Sequence, residues 1–195
     1  MKPSPTMDAA RHQCFIYDGA PSVHLPHIAQ SLIEQLGAKR RCLYLNSPPM
    51  VVGMRWHLTS AGLDLADHLK RGALTLSSDQ GHLAAGKFDV GRMLGLLRQS
   101  LAQALADGYE GLWASGDMTW EFGSETNFDK LADYERRLDD FIRDNPGLGG
   151  VCLYHRATLP PHAVETALAT HPSFYRSAIQ SDPNPRYYRL LSGTA

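Results

Sequence analysis

From Cys14 onward, short apolar runs alternate with longer segments in which apolar residues recur every three or four positions. The runs Cys14-Phe15-Ile16-Tyr17, Arg41-Cys42-Leu43-Tyr44-Leu45, Ala73-Leu74-Thr75-Leu76, Gly111-Leu112-Trp113-Ala114 and Val151-Cys152-Leu153-Tyr154 read as strands. Between them, residues 23–36, 50–62, 90–106 and 128–143 read as helices. Asp89 is placed to cap one helix start, and Gly37, Gly62 and Gly108 stand where left-handed caps end three others. Pro160-Pro161 opens a short helix reaching about Ala169, and residues 187–191 suit a closing edge strand. Strands this continuously apolar must be covered on both faces. The expected architecture is therefore α/β: a mostly parallel sheet of five or more strands between two helical layers, Rossmann-like or RecA-like. A single domain is expected over residues 11–191, with residues 1–10 and 192–195 as flexible ends.

Composition narrows the partners. With 195 residues, 43% of them hydrophobic, the chain suits one globular domain. Nineteen basic against twenty acidic residues leave a formal charge of −1, without the basic footprint that nucleic acid or an anionic membrane surface calls for. No stretch approaches the roughly 20 apolar residues of a membrane span, and Met1-Lys2-Pro3-Ser4-Pro5 lacks a signal-peptide core, so a cytoplasmic location is expected. Cys14, Cys42 and Cys152 are far apart, with no CxxC pair to suggest a disulfide framework or a zinc knuckle. Cys42 and Cys152 read as buried thiols acting as small hydrophobes.

In an open parallel sheet, ligands bind beyond the carboxyl ends of the strands. The rim segment after the fourth strand is the most unusual, because Trp113 and Trp120 bracket Asp117 and Glu121 follows. Aromatic walls with a few polar anchors suit a small, partly apolar organic ligand. His155 ends the fifth strand at the same expected rim. Asp117 and His155 are therefore assigned as anchors and Trp120 and Trp113 as walls, with Tyr17, Asp79 and Glu121 as further ligand-binding candidates. Residues 115–126 are the expected moving segment. His12 and Cys14 share a strand face and form a candidate metal or redox pair, but about 15 Å of strand separates them from Asp117 and His155. The other histidines, His24, His27, His57, His68, His162 and His171, lack metal spacing and read as surface or satisfied core groups. Gly81-His82-Leu83-Ala84-Ala85-Gly86-Lys87-Phe88 nearly spells a phosphate loop, with Phe88 in place of the magnesium-binding hydroxyl. Neither a nucleophile elbow around Ser115 nor an H-E-x-x-H motif occurs, so no catalytic residue and no cofactor are assigned.

The ordered blocks His12-Gln13-Cys14-Phe15-Ile16-Tyr17, Arg41-Cys42-Leu43-Tyr44-Leu45-Asn46, Leu76-Ser77-Ser78-Asp79-Gln80-Gly81-His82-Leu83, residues 111–122 and Leu153-Tyr154-His155 resemble the MEDS domain. This is the methanogen/methylotroph sensory domain named after a dichloromethane-degradation regulator, and the resemblance covers about residues 11–180. The family is similar in layout to RecA-like, circadian-clock-type ATPases, whose phosphate loop follows strand one; here that place reads Asp18-Gly19-Ala20-Pro21-Ser22-Val23, with no Gly-Lys-Thr. The resemblance implies a non-catalytic sensor of simple hydrocarbon derivatives that works with a DNA-binding, kinase or anti-sigma module. Because residues 11–180 take up nearly the whole chain, the signal is expected to pass to a separate output protein or through a homo-oligomer. The rival readings are a degenerate nucleotide-binding protein or weak ATPase, a His12/Cys14 redox or metal sensor, and an enzyme using Asp117 and His155 as an acid–base pair.

Overall fold

The computed structural model describes residues 11–81, 83–122 and 125–187. Seven strands form one sheet: β1 (His12–Tyr17), β2 (Arg41–Leu45), β3 (Leu74–Ser77), β6 (Leu112–Asp117), β7 (Leu148–His155), β8 (Ser173–Ser177) and β9 (Gln180–Pro183). Their spatial order is β3-β2-β6-β7-β1-β8-β9, with every neighbouring pair parallel except β8 and β9. The helices are α1 (Leu25–Gly37), α2 (Pro48–Ser60), α3 (Leu65–Lys70), α4 (Val90–Ala106), α5 (Met118–Phe122), α6 (Leu131–Asp144) and α7 (Pro161–Thr170).

Alternation along the strands sorts the core into two layers. Cys42, Tyr44, Trp113, Val151 and Leu153 pack beneath α1 and α2, together with Leu25, Ile28, Leu32, Met54 and Leu58. Leu43, Leu45, Leu112, Cys152 and Tyr154 face the opposite way, toward α4, α6 and α7. All eight residues of the central strand β7 are buried, as a strand covered on both faces requires. The α/β three-layer architecture is thus as expected, and among the described residues no helix is long and apolar enough to cross a membrane.

Local signals behave as the chemistry of their residues dictates. Asp89 Oδ1 accepts from Arg92 N at 2.9 Å and starts α4. Gly62 and Gly108 adopt φ of +85° and +82° after α2 and α4, whereas after α1 the left-handed residue is Lys39. Several elements differ from expectation. Short α3 and the C-terminal hairpin β8–β9 lack strong apolar periodicity and were not anticipated. Most of the edge strand expected at residues 187–191 lies outside the described residues. The near phosphate loop is a two-stranded hairpin, β4 (Leu83–Ala84) with β5 (Lys87–Phe88), turned by Ala85 and Gly86 at φ of +50° and +77°. Of residues 115–126, expected to be the moving segment, 115–117 end β6 and 118–122 form the helix α5.

Two glycines give a paired test of this packing. A Cβ on Gly150 would stand 2.2 Å from the Ala114 carbonyl oxygen on the neighbouring strand, while one on Gly95 of α4 meets open space. Gly150→Ala is expected to destabilise the fold by about 3 kcal/mol or more. Gly95→Ala should stabilise it by about 1 kcal/mol through helix propensity. Urea unfolding of the two variants beside the parent reads both.

Candidate functional site

At the carboxyl ends of β1, β2, β6 and β7, polar side chains that cannot reach bulk water are tied to one another. Asp117, 6% exposed, ends β6. Its Oδ1 accepts from the backbone amides of Thr119 (2.9 Å) and Trp120 (3.2 Å), capping α5. Its Oδ2 lies 3.4 Å from the Tyr17 hydroxyl and 3.5 Å from Asn46 Nδ2. Burial raises the Asp117 carboxyl above its ordinary range, partly offset by those amides and by Asn46. A chain of bonds continues from Asn46: its Nδ2 donates to Tyr44 OH at 3.0 Å, Tyr44 OH donates to His24 Nε2 at 3.0 Å, and His24 Nδ1 donates to Pro21 O at 2.8 Å. On the other side His155 Nε2 donates to Gly19 O at 2.9 Å, and its ring lies 5.1 Å from that of Tyr17.

The segment after β1 therefore turns the carbonyl oxygens of Gly19 and Pro21 toward the site. The amides of Val23 and Leu25 are used within the turn, bonded to Ala20 O and Ser22 O. A phosphate cradle needs the opposite polarity, with N–H groups converging on the anion.

Beneath α5, between the sheet and helices α4 and α6, lies an internal cavity of about 30 Å³. Its walls include Leu45, Met93, Leu97, Ala114 and Leu138, with Glu121 among the polar lining groups. The Glu121 side chain drops from α5 into this layer and is 1% exposed. Burial pushes its carboxyl well above the ordinary glutamate range, and the negative charges of Asp117 and Glu135 add to the effect. Helix α5 thus joins the rim to the interior, held at its start by Asp117 and carrying Glu121 inward.

A three-layer α/β domain with a polar rim and a small cavity is compatible with many activities. The family profile described as MEthanogen/methylotroph, DcmR Sensory domain (MEDS) matches residues 11–172. The chain belongs to the MEDS family. A search of the curated proteins finds no match.

In this MEDS domain the structure brings Asp117, Tyr17 and His155 together and leaves the other four expected residues elsewhere, Glu121 at the cavity beneath α5 and Trp113, Asp79 and Trp120 at separate places. The Trp113 indole lies in the layer beneath α1 and α2, where a Cβ on Gly149 would come within 2.8 Å of its ring. Trp113 shares the face of Asp117 but lies four residues earlier, about 13 Å down the strand from the rim. Asp79 is exposed beyond edge strand β3, its amide bonded to Ser77 Oγ. Trp120 is half-buried against the opposite layer, and its carbonyl accepts from Gln80 Nε2 at 3.2 Å. Asn46, Tyr44 and His24 belong to the rim and were missed, although Asn46 directly follows an apolar strand and so stood where a ligand group is sought. His12 and Cys14 do not converge on a common centre: Cys14 Sγ lies 3.8 Å from Ser173 O, while His12 Nδ1 lies 3.0 Å from Asp139 Oδ1. Cys42 and Cys152 are buried, as expected, and so is Cys14; all three are free.

Burial lowers His24 to a pKa of about 4, so the folded chain takes up that proton only well below pH 6.5, where the unfolded chain already does. Its contribution to stability is complete above pH 6.5 and is lost as the pH falls toward 4. Between pH 7 and 5 the loss is about 2 kcal/mol. His24→Gln should flatten the pH dependence of urea unfolding by that amount across this interval.

Proposed function

We propose that this MEDS domain is a non-catalytic sensor that takes one small organic molecule, a simple hydrocarbon derivative, into the cavity beneath α5 and signals to a separate output protein. The observation that carries the reading is Glu121, a carboxyl buried beside a small and mainly apolar cavity in a member of a sensory family. Kept protonated by burial, it can both donate and accept a hydrogen bond, so it holds a hydroxyl or carbonyl oxygen without introducing a buried charge. About 30 Å³ is room for about two waters, which limits the ligand to the smallest organic compounds unless the walls yield.

The same geometry supports a route outward. A ligand bonded to Glu121 pulls on α5, whose start is fixed by Asp117 and whose Trp120 reaches the surface. Tyr17, Asn46 and His155 hold the rim against which that motion works. A tenfold shift between two states requires about 1.4 kcal/mol of differential affinity, on the scale of one hydrogen bond gained in one state. Val52 and Trp56, one turn apart on α2 and 66% and 64% exposed, give the partner an apolar contact. The inward-turned carbonyls of Gly19 and Pro21 weigh against nucleotide binding at the place where a RecA-like phosphate loop would stand.

Thermal unfolding against a panel of one- to four-carbon alcohols, halides, acids and amines, with Mg-ATP alongside, tests this reading. A binder at a hundred times its dissociation constant adds about 2.7 kcal/mol, or roughly 5–11 °C for a chain of this size. An organic compound should give that shift, Ala114→Val should abolish it by filling the cavity, and Glu121→Gln should weaken binding about tenfold. A shift with Mg-ATP alone, or one indifferent to both variants, would overturn it.

A further inference from the structure

The layer beneath α6 and α7 holds a second group of polar side chains that the sensor reading does not use as ligands. His12 of β1, Cys152 of β7, Glu135 of α6 and His171, which follows α7, are all buried, and one donor atom from each lies within 4.8 Å of the others. Glu135 Oε2 is 3.5 Å from His12 Nε2, 3.5 Å from His171 Nε2 and 3.7 Å from Cys152 Sγ; Cys152 Sγ is 4.0 Å from His12 Nε2. The nitrogen–oxygen separations are long for hydrogen bonds, which cluster near 2.9 Å. They fit the edges of a coordination tetrahedron. Zinc bonds of about 2.1 Å to nitrogen and oxygen and about 2.3 Å to sulfur place donors about 3.4 Å apart for nitrogen–oxygen pairs and about 3.6 Å apart for pairs with sulfur.

The surrounding bonds leave the right lone pairs facing that centre. His12 Nδ1 donates to Asp139 Oδ1 at 3.0 Å, and Asp139 Oδ2 is held in turn by the Tyr187 hydroxyl at 2.6 Å. His171 Nδ1 donates to Ala167 O at 3.0 Å, and its Nε2, fully buried, has no hydrogen-bond partner among the described residues. The Tyr154 hydroxyl donates to Glu135 Oε1, so Oε2 faces inward. Outer-sphere partners of this kind fix the tautomer and aim of ligating histidines and carboxylates.

We propose that His12 Nε2, His171 Nε2, Cys152 Sγ and Glu135 Oε2 form a four-coordinate site for a divalent transition-metal ion, zinc by ligand type. Two imidazoles with one thiolate and one carboxylate are a borderline donor set that suits zinc, and four protein ligands make a closed, structural site. On binding, the Cys152 thiol releases its proton to solvent, and the two anions then cancel the charge of the ion. A buried centre without net charge is the arrangement that burial tolerates best. The ion would fasten β1, β7, α6 and the end of α7 at one point. Its occupancy does not depend on the cavity ligand, although His12 and Cys152 also line that cavity.

Metal analysis of the full chain purified without chelator, followed by cobalt titration of the metal-stripped protein, tests the site with no organic ligand present. The expected result is stoichiometric zinc, visible bands of four-coordinate cobalt and a thiolate-to-cobalt charge-transfer band. That band should be lost in Cys152→Ala and kept in Cys14→Ala, whose thiol shares the layer but is directed at Ser173 O, and in Cys42→Ala, whose thiol lies in the opposite layer. Zinc should also raise the unfolding temperature of the stripped chain. Folded protein that takes up neither ion, or a charge-transfer band that survives Cys152→Ala, would overturn the proposal. The wild-type titration decides the matter even if a variant fails to fold.

Discussion

Strand β7 lies at the centre of the sheet with both faces covered, and any polar side chain on it or its neighbours must be satisfied within the protein. An unpartnered polar group there costs on the order of 1–3 kcal/mol, a sizeable part of a domain's net stability. Two clusters gather many of these groups, while Ser115 Oγ on β6 has no hydrogen-bond partner among the described residues. Tyr17, Asn46, Asp117 and His155 close the carboxyl rim, while His12, Glu135, Cys152 and His171 sit together beneath α6 and α7. Strand parity helps to separate them: His12 and Tyr17 are five residues apart on β1 and point to opposite layers. Helix α5 is the covalent route from the rim to the interior, because Asp117 caps it and Glu121 leaves it on the far side of the sheet.

Membership of a sensory family makes that link meaningful. A sensor must bind its ligand better in one state than in another, and the difference must reach the surface. In this domain a carboxyl stands at an internal cavity, its helix is held at the first turn by a buried aspartate, and the next residue along the chain from Thr119, Trp120, is half-exposed. From the cavity to the surface is a single short helix, so the proposed signal needs no long pathway.

Much of the architecture was legible because its signals are local. Continuous apolar strands, the Asp89 cap and the glycines after α2 and α4 each encode their own geometry, and helix α4 falls where periodicity alone puts it. The rim was partly legible, since strand ends can be read off the chain, and Asp117, Tyr17 and His155 do meet there. What could not be read was the direction of each side chain once a strand end moved. Extending β6 to Asp117 sends Trp113 under α1 and α2, and ending the strand in a helix carries Glu121 inside. The interior cluster was missed for a different reason, because its members come from β1, α6, β7 and the residue after α7, with no spacing to join them. One signal was nevertheless present. Glu135 occupies the stripe of α6 formed by Leu131, Tyr134, Leu138 and Ile142, and a carboxylate on such a stripe implies buried partners.

Binding of a small organic molecule beneath α5 can be seen in a crystal structure of the chain with the compound that most raises its unfolding temperature. Density for that compound is expected inside the cavity, within hydrogen-bonding distance of the Glu121 carboxyl, with α5 displaced relative to the unliganded chain. Density at the carboxyl rim with an empty cavity, or a bound compound that leaves Glu121 and α5 unmoved, would contradict it.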